Sequence, residues 1–207
     1  MKNILFGAII AIVFCITSVV VYLASGALDF AADVPHGDLA KDLIGWARDQ
    51  SITRSASDIV PPGDLSDPAR VRRGAGNYDA MCANCHLAPG ITDSEIRKGL
   101  YPVPPSLVKS SIDDLAVQQD IRRFWIIKHG IKGSGMPAWS KGGVDDQTIW
   151  DMTAFLKVLP GLSSEEYRHT VNASDGHAHG GAANEERRNA KHDHPNKSGV
   201  KPHAHNH

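Results

Sequence analysis

The residues of this chain best suited to chemistry are Cys82-Ala83-Asn84-Cys85-His86. Two cysteines three apart, with a histidine directly after the second, have the spacing of a c-type haem attachment site. Thiols this close can both reach the two vinyl groups of one porphyrin, and the adjacent imidazole then falls under the iron. A Cys-x-x-Cys pair could also bind zinc or act as a redox dithiol. Zinc would require a second ligand pair at comparable spacing, and the remaining cysteine, Cys15, lies inside an apolar N-terminal run where it reads as a small hydrophobe. A redox dithiol belongs near a βαβ pattern, and the sequence shows no strand alternation. The motif therefore predicts one covalent haem c on Cys82 and Cys85, with His86 as proximal ligand.

Whether the iron has a sixth ligand separates electron carriers from gas binders and peroxidases. The methionines are Met1, Met81, Met136 and Met152. Met1 is at the wrong end, Met81 abuts the first cysteine and cannot fold over to the opposite haem face, and Met152 falls in an amphipathic run where it fills core. Met136 remains as the distal ligand to the haem iron. It lies in Gly133-Ser134-Gly135-Met136-Pro137-Ala138-Trp139, where glycines permit close backbone approach and proline holds the following turn. The rival, His129, is followed by Gly130 and reads as the close of a helix.

These residues need elements to hold them. Asp67 and Pro68 supply a cap and first-turn residue for a helix ending at the cysteine motif. Val71, Ala75, Tyr78 and Cys82 share its face, and Gly74 leaves a notch that invites a second helix to cross closely. The crossing partner is the segment opened by Asp145 and Asp146, with Ile149, Met152, Thr153 and Leu156 on one stripe, stopped at Leu159-Pro160-Gly161. A third helix runs from Asp114 to His129. Between them Gly99 to Leu107 holds too many prolines for helix or central strand; it predicts an irregular loop along the haem in which a proline carbonyl accepts from the His86 ring.

In front of this unit, Ile4 to Ala24 carries no charge. About 20 apolar residues suffice to cross a bilayer, and Lys2 on the short leading side leaves the rest of the chain outside the cytoplasm. Small residues at Ala24, Ser25, Gly26 and Ala27 could serve a signal peptidase, but the apolar run exceeds the roughly 7 to 15 residues of a signal-peptide core. The expectation is a retained single-pass inner-membrane anchor with the haem domain facing the periplasm. Residues 27–66 carry three basic and seven acidic residues. Asp38 is expected to cap a helix there whose Leu39, Leu43, Ile44, Trp46 and Ala47 form one apolar stripe, lying on the membrane surface or packed on the haem domain. Ser55 to Asp67, with Pro61-Pro62-Gly63, reads as a linker.

Gly74-x-x-x-Tyr78-x-x-x-Cys82-x-x-Cys85-His86, a later Met-Pro, and Asp151-Met152-Thr153-Ala154-Phe155-Leu156-Lys157 together resemble the monohaem class I cytochromes c, over roughly residues 67 to 162. The stretch from Asp33-Val34-Pro35-His36 through Phe124-Trp125-Ile126-Ile127-Lys128-His129-Gly130-Ile131-Lys132 is similar to bacterial membrane-anchored monohaem cytochromes. The resemblance implies an all-α fold, a small helical bundle around the covalent haem whose first and last helices cross at nearly right angles. It likewise implies Cys82 and Cys85 as attachments and His86 and Met136 as ligands. The expected organisation is an anchor at 1–26, a juxtamembrane helix and linker at 27–66, the haem domain at 67–162 and a disordered His-rich tail at 163–207.

That tail holds eight of the eleven histidines, and its six basic and six acidic residues cancel. It has too little apolar content to fold alone. His177 and His179, His192 and His194, and His203, His205 and His207 repeat a His-x-His spacing that lets neighbouring imidazoles share copper, nickel or zinc. An enclosed six-coordinate haem predicts an electron carrier with no substrate to transform, exchanging single electrons with redox protein donors and acceptors through weak docking. The haem domain's twelve basic and ten acidic residues leave no strong steering field once two propionates are counted, and nothing in the chain suggests a nucleic-acid partner. The alternatives are a permanent haem subunit of a dehydrogenase or oxidase complex, and copper or nickel handling by the tail.

Overall fold

The computed structural model describes residues 2–109 and 117–176. Among these every regular element is a helix: α1 (Lys2–Ala24), α2 (Asp38–Ser55), α3 (Pro68–Met81), α4 (Ala83–His86), α5 (Glu95–Lys98), α6 (Val117–His129), α7 (Asp146–Val158) and α8 (Ser164–Asn172), with 3-10 turns at Leu107–Lys109, Trp139–Gly142 and Leu159–Gly161. The all-α expectation is met. α1 has a mean hydropathy of 2.9 and buries none of its residues, so by length and composition it can cross a bilayer.

The domain is built on the contact between α3 and α7. Both start as the sequence predicts: the Asp67 carboxylate accepts from the Ala69 amide with Pro68 in the first turn, and that of Asp145 accepts from the Thr148 amide. The notch at Gly74 is real. A Cβ there would lie 2.0 Å from the Asp151 carbonyl oxygen, so only glycine lets the two backbones approach this far. Beside the notch the buried Asp151 carboxylate takes Arg70 Nη1 and Arg73 Nε, each at 2.7 Å, and Arg70 reaches on to Asp64 at 3.0 Å. A carboxylate taken out of water needs such partners, because a buried charge without compensation is costly. Around the crossing Tyr78, Ile149, Met152, Phe155 and Leu159 are all but inaccessible, and Phe124 of α6 stacks on Trp150 of α7 with centroids 4.0 Å apart. α6 is tied to α7 a second time where Lys157 reaches the buried Asp120 at 2.6 Å.

Four readings are corrected or decided. The boundary at 162 is too early, because the chain goes on to form α8, opened by a reciprocal capping box between Ser163 and Glu166. Its Tyr167 is 4 % exposed, packs its ring against Tyr78 and Phe155, and donates from its hydroxyl to Asp79 at 2.8 Å. One large aromatic supplies the burial that composition as a whole lacks. The seven tail histidines from His177 onward lie outside the described residues.

Second, Asp38 does not cap α2. Gly37 stands at the cap position, and Asp38 sits in the first turn, where its charge suits the helix dipole and pairs with Lys41 at 3.0 Å. Third, of the two placements left open for the α2 stripe, packing on the haem domain is not the one found. Leu39, Leu43, Ile44 and Trp46 are exposed, whereas Ile52 and Ala56 are buried and Asp49 meets Arg122 of α6 at 2.7 Å. The segment read as a linker is likewise part of the domain, since Leu65 is buried in the core cluster and Ile59 packs against it.

Two outcomes follow. Gly74→Ala gains helix propensity of about 1 kcal/mol, yet it must push α3 from α7, and overpacking of this kind costs about 1–3 kcal/mol or more. Thermal unfolding of the holoprotein should therefore show a clear fall in Tm, while Gly45→Ala, whose Cβ would meet nothing closer than 3.9 Å, should leave it unchanged or raised. Truncation after Gly176 should keep the wild-type Tm, whereas truncation after Leu162 removes Tyr167 from the core and should cost about 3 kcal/mol or more, the scale of deleting a buried aromatic.

Candidate haem site

The cysteine motif is formed by α3 running into one further turn. The Cys82 amide donates to the Tyr78 carbonyl at 2.8 Å, and the Cys85 and His86 amides both donate to the Cys82 carbonyl, at 3.1 and 2.8 Å. Leu87 ends this turn with a φ of +70°, unusual for a residue with a Cβ. It is held there because its side chain is buried and its carbonyl accepts from the Tyr78 hydroxyl at 2.6 Å. Burial pushes the Tyr78 hydroxyl far above its ordinary range, so it stays protonated and remains a donor. One core tyrosine thus clamps the far end of the attachment turn.

Cys82 and Cys85 are not bonded to each other. Cys82 is buried, and burial pushes its thiol up to about 12, so its sulfur is a neutral group at an apolar wall. His86 is half-buried, and its Nδ1 lies 2.9 Å from the Pro105 carbonyl. A carbonyl can only accept, so Nδ1 carries the proton and the Nε2 lone pair is left for a metal. Burial also lowers the His86 pKa, against the opposing effect of the Pro105 contact, which favours the neutral ligand form. This is the proline-loop contact predicted from the sequence. The loop is itself held by Arg97, whose Nε donates to the Pro104 carbonyl at 3.0 Å while its Nη1 meets Asp93 at 3.1 Å. Neither Arg97 nor Asp93 was singled out in the sequence. A basic residue beside Lys98 before a proline-rich loop carries no periodic signal, and only the fold shows what it holds.

Met136 sits in a tightly folded loop after α6. Gly130 has a φ of +67°, and a Cβ on it would come within 2.7 Å of the Met136 carbonyl oxygen and the Ala138 amide. The Ile131 amide donates to the Met136 carbonyl at 3.1 Å, and the Met136 amide donates to Ser134 Oγ at 3.2 Å. A Cβ on Gly135 would lie 2.6 Å from Leu100 Cδ2, so the methionine loop abuts the start of the segment whose other end holds His86. Met136 is partly buried against the same cluster that contains Cys82. Met152 is wholly buried in α7. His129 is exposed at the end of α6, its ring 5.0 Å from Trp125. Cys15 is exposed on α1. Among the described residues no group of three or more His, Cys, Asp or Glu could hold a separate metal ion.

The donor set fits a c-type haem. Two unpaired thiols lie one helical turn apart, an imidazole keeps a free nitrogen, and a thioether stands in a loop that touches the loop holding that imidazole. Bound there, a haem supplies reversible one-electron chemistry at iron. The chain fixes the thiols, orients the His86 ring through Pro105 and seats Cys82 in the apolar core cluster against which Met136 packs.

Residues 69–156 match a family described as cytochrome C oxidase, cbb3-type, subunit III. No curated protein and no solved structure matches the chain. The match spans the segment from the first turn of α3 to the last of α7 and includes both cysteines, His86 and Met136. This part of the chain is a class I c-type cytochrome domain with haem c as its cofactor.

Proposed function

We propose that this cytochrome is a single-electron carrier held at the periplasmic face of the inner membrane by α1. Its haem is tethered through Cys82 and Cys85 and ligated by His86 and Met136, and its partners are redox proteins. The observation that carries the reading is the His86–Pro105 contact, which leaves one imidazole nitrogen for iron in a domain whose attachment turn is already shaped. A methionine opposite histidine raises the potential and closes the coordination sphere, which suits electron transfer and leaves no position for a substrate. The apolar helix α1, with Lys2 on its short side, supports the anchor and its orientation.

A second reading is that the chain is a permanent haem subunit of a larger redox complex. The matched family's description as an oxidase subunit favours it. Gentle solubilisation followed by identification of co-purifying proteins separates the two: a stoichiometric subunit set supports the complex, and a lone cytochrome supports the carrier. The His-x-His repeats of the tail support an additional role in holding copper, nickel or zinc.

In the oxidised protein, Met136→Ala should abolish the methionine-to-iron charge-transfer band. It should also lower the midpoint potential by on the order of 0.1 V or more, within the ≈ 0.8 V that axial ligands command. Met152→Leu should leave band and potential nearly unchanged; a loss of the band there instead would transfer the ligand role to Met152. Calorimetric titration with copper should show binding to the full chain that disappears on truncation after Gly176, with the haem spectrum unaltered.

A further inference from the structure

The face that α2 turns to the haem domain and its apolar stripe are different faces. At about 100° per residue, Gly45, Asp49, Ile52 and Ala56, the half-buried and buried positions of the helix and its cap, fall on one side. Leu39, Leu43, Ile44, Trp46 and Ala47 centre roughly 150° away. Leu39 is 84 % exposed and Trp46 62 %. A domain of this size has no reason to show water four large apolar residues on one helix unless something covers them.

What covers them is indicated by the chain just before. α1 ends at Ala24 and α2 starts at Asp38, so the connection spans at most about 50 Å fully extended. It is shortened by a turn at Gly26 and by the Val34 amide donating to the Ala31 carbonyl at 3.2 Å. Phe30, Leu28 and Val34 within it are also exposed, which carries the apolar surface from the membrane-crossing helix to the stripe. The far end of the connection is pinned to the domain, the His36 amide donating to the Tyr101 hydroxyl at 2.9 Å. The charges of α2 cancel, Asp38, Asp42 and Asp49 against Lys41, Arg48 and Arg54, so attraction to anionic lipid is not the driving term.

We propose that α2 lies in the headgroup layer of the bilayer that α1 crosses, with Leu39, Leu43, Ile44 and Trp46 toward the lipid, and that it thereby fixes the orientation of the haem domain on the membrane. The helix is a bracket with two faces, one on the bilayer and one on α6. Burial of the stripe replaces water with acyl chain and headgroup, as for other interfacial amphipathic helices, and the tryptophan suits the boundary. The proposal rests on α1 remaining attached to the mature chain.

The test uses the full-length holoprotein in nanodiscs of phosphatidylcholine, with and without phosphatidylglycerol. In a Cys15→Ser background the haem thioethers occupy the other two cysteines, so a spin label can be placed at Leu43→Cys or, on the polar side, at Lys41→Cys. The label at 43 should gain collisions with oxygen and lose those with a water-soluble nickel chelate several-fold relative to the label at 41, equally in both lipids. Equal nickel access at 43 and 41 overturns the proposal, and so does a label at 43 shielded from both reagents, which would mean that a protein or a second copy covers the stripe. Replacing Leu39, Leu43, Ile44 and Trp46 by Gln should abolish the linear dichroism of the haem in oriented membranes while leaving its absorption spectrum unchanged, which shows that the domain is still folded; retained dichroism also overturns the proposal. The N-terminal mass of the mature protein tests the anchor separately. If α1 has been removed, that reading fails alone, and the same labels on mature chain added to vesicles decide the fate of the stripe.

Discussion

The close approach of α3 and α7 at Gly74 is the constraint on which the rest of the domain depends. It lets a backbone carbonyl of α7 sit where any other residue of α3 would place a methyl carbon. The Asp151 carboxylate is buried in the same step, and Arg70 and Arg73 must come with it. A buried ion cluster is weak as a source of net stability and strong as a determinant of register, because losing one partner leaves a charge stranded in the interior. The two helices therefore meet at one rotation and one offset. That offset sets where α3 runs out into the cysteine turn.

From that joint the influence passes outward through hydrogen bonds of ordinary strength. Tyr78, on the buried face of α3, holds the Leu87 carbonyl, and so fixes the exit of the attachment turn. Arg97 holds the Pro104 carbonyl, and the neighbouring Pro105 carbonyl holds the His86 ring. Each link leaves the reactive atom free and constrains its neighbour. An electron-transfer site benefits from this arrangement, since a ligand sphere that hardly moves between oxidation states does not slow the exchange.

Much of this was legible in the residues. The cysteine spacing carries the cofactor, Gly74 among apolar residues at helical spacing carries the crossing, and a run of prolines carries both the irregular loop and the histidine contact. Other parts lay below the reach of periodicity. α8 buries one residue, Tyr167, so its apolar content is too low for a pattern to register, although the Ser163-Ser164-Glu165-Glu166 start is a readable capping signal. The docking face of α2 is made of Gly45, Asp49, Ile52 and Ala56, a set that no hydrophobicity rule prefers over the Leu39 to Trp46 stripe. Asp120 reads as a surface charge, and only the arrival of Lys157 from a distant helix shows that it is interior.

The end of the described chain is seated on the same joint. A Cβ on Gly176 would meet the Arg73 carbonyl at 2.1 Å, and one on Gly76 would meet the Gly176 carbonyl at 2.2 Å, so the segment leaving α8 lies close against the middle of α3. Arg73 is thus both the seat of that segment and one of the two grips on Asp151. Any pull transmitted from the histidine-rich extension loads this anchorage first. The cysteines lie about two turns farther along the same helix, so a load on this seat reaches the attachment turn through α3 itself.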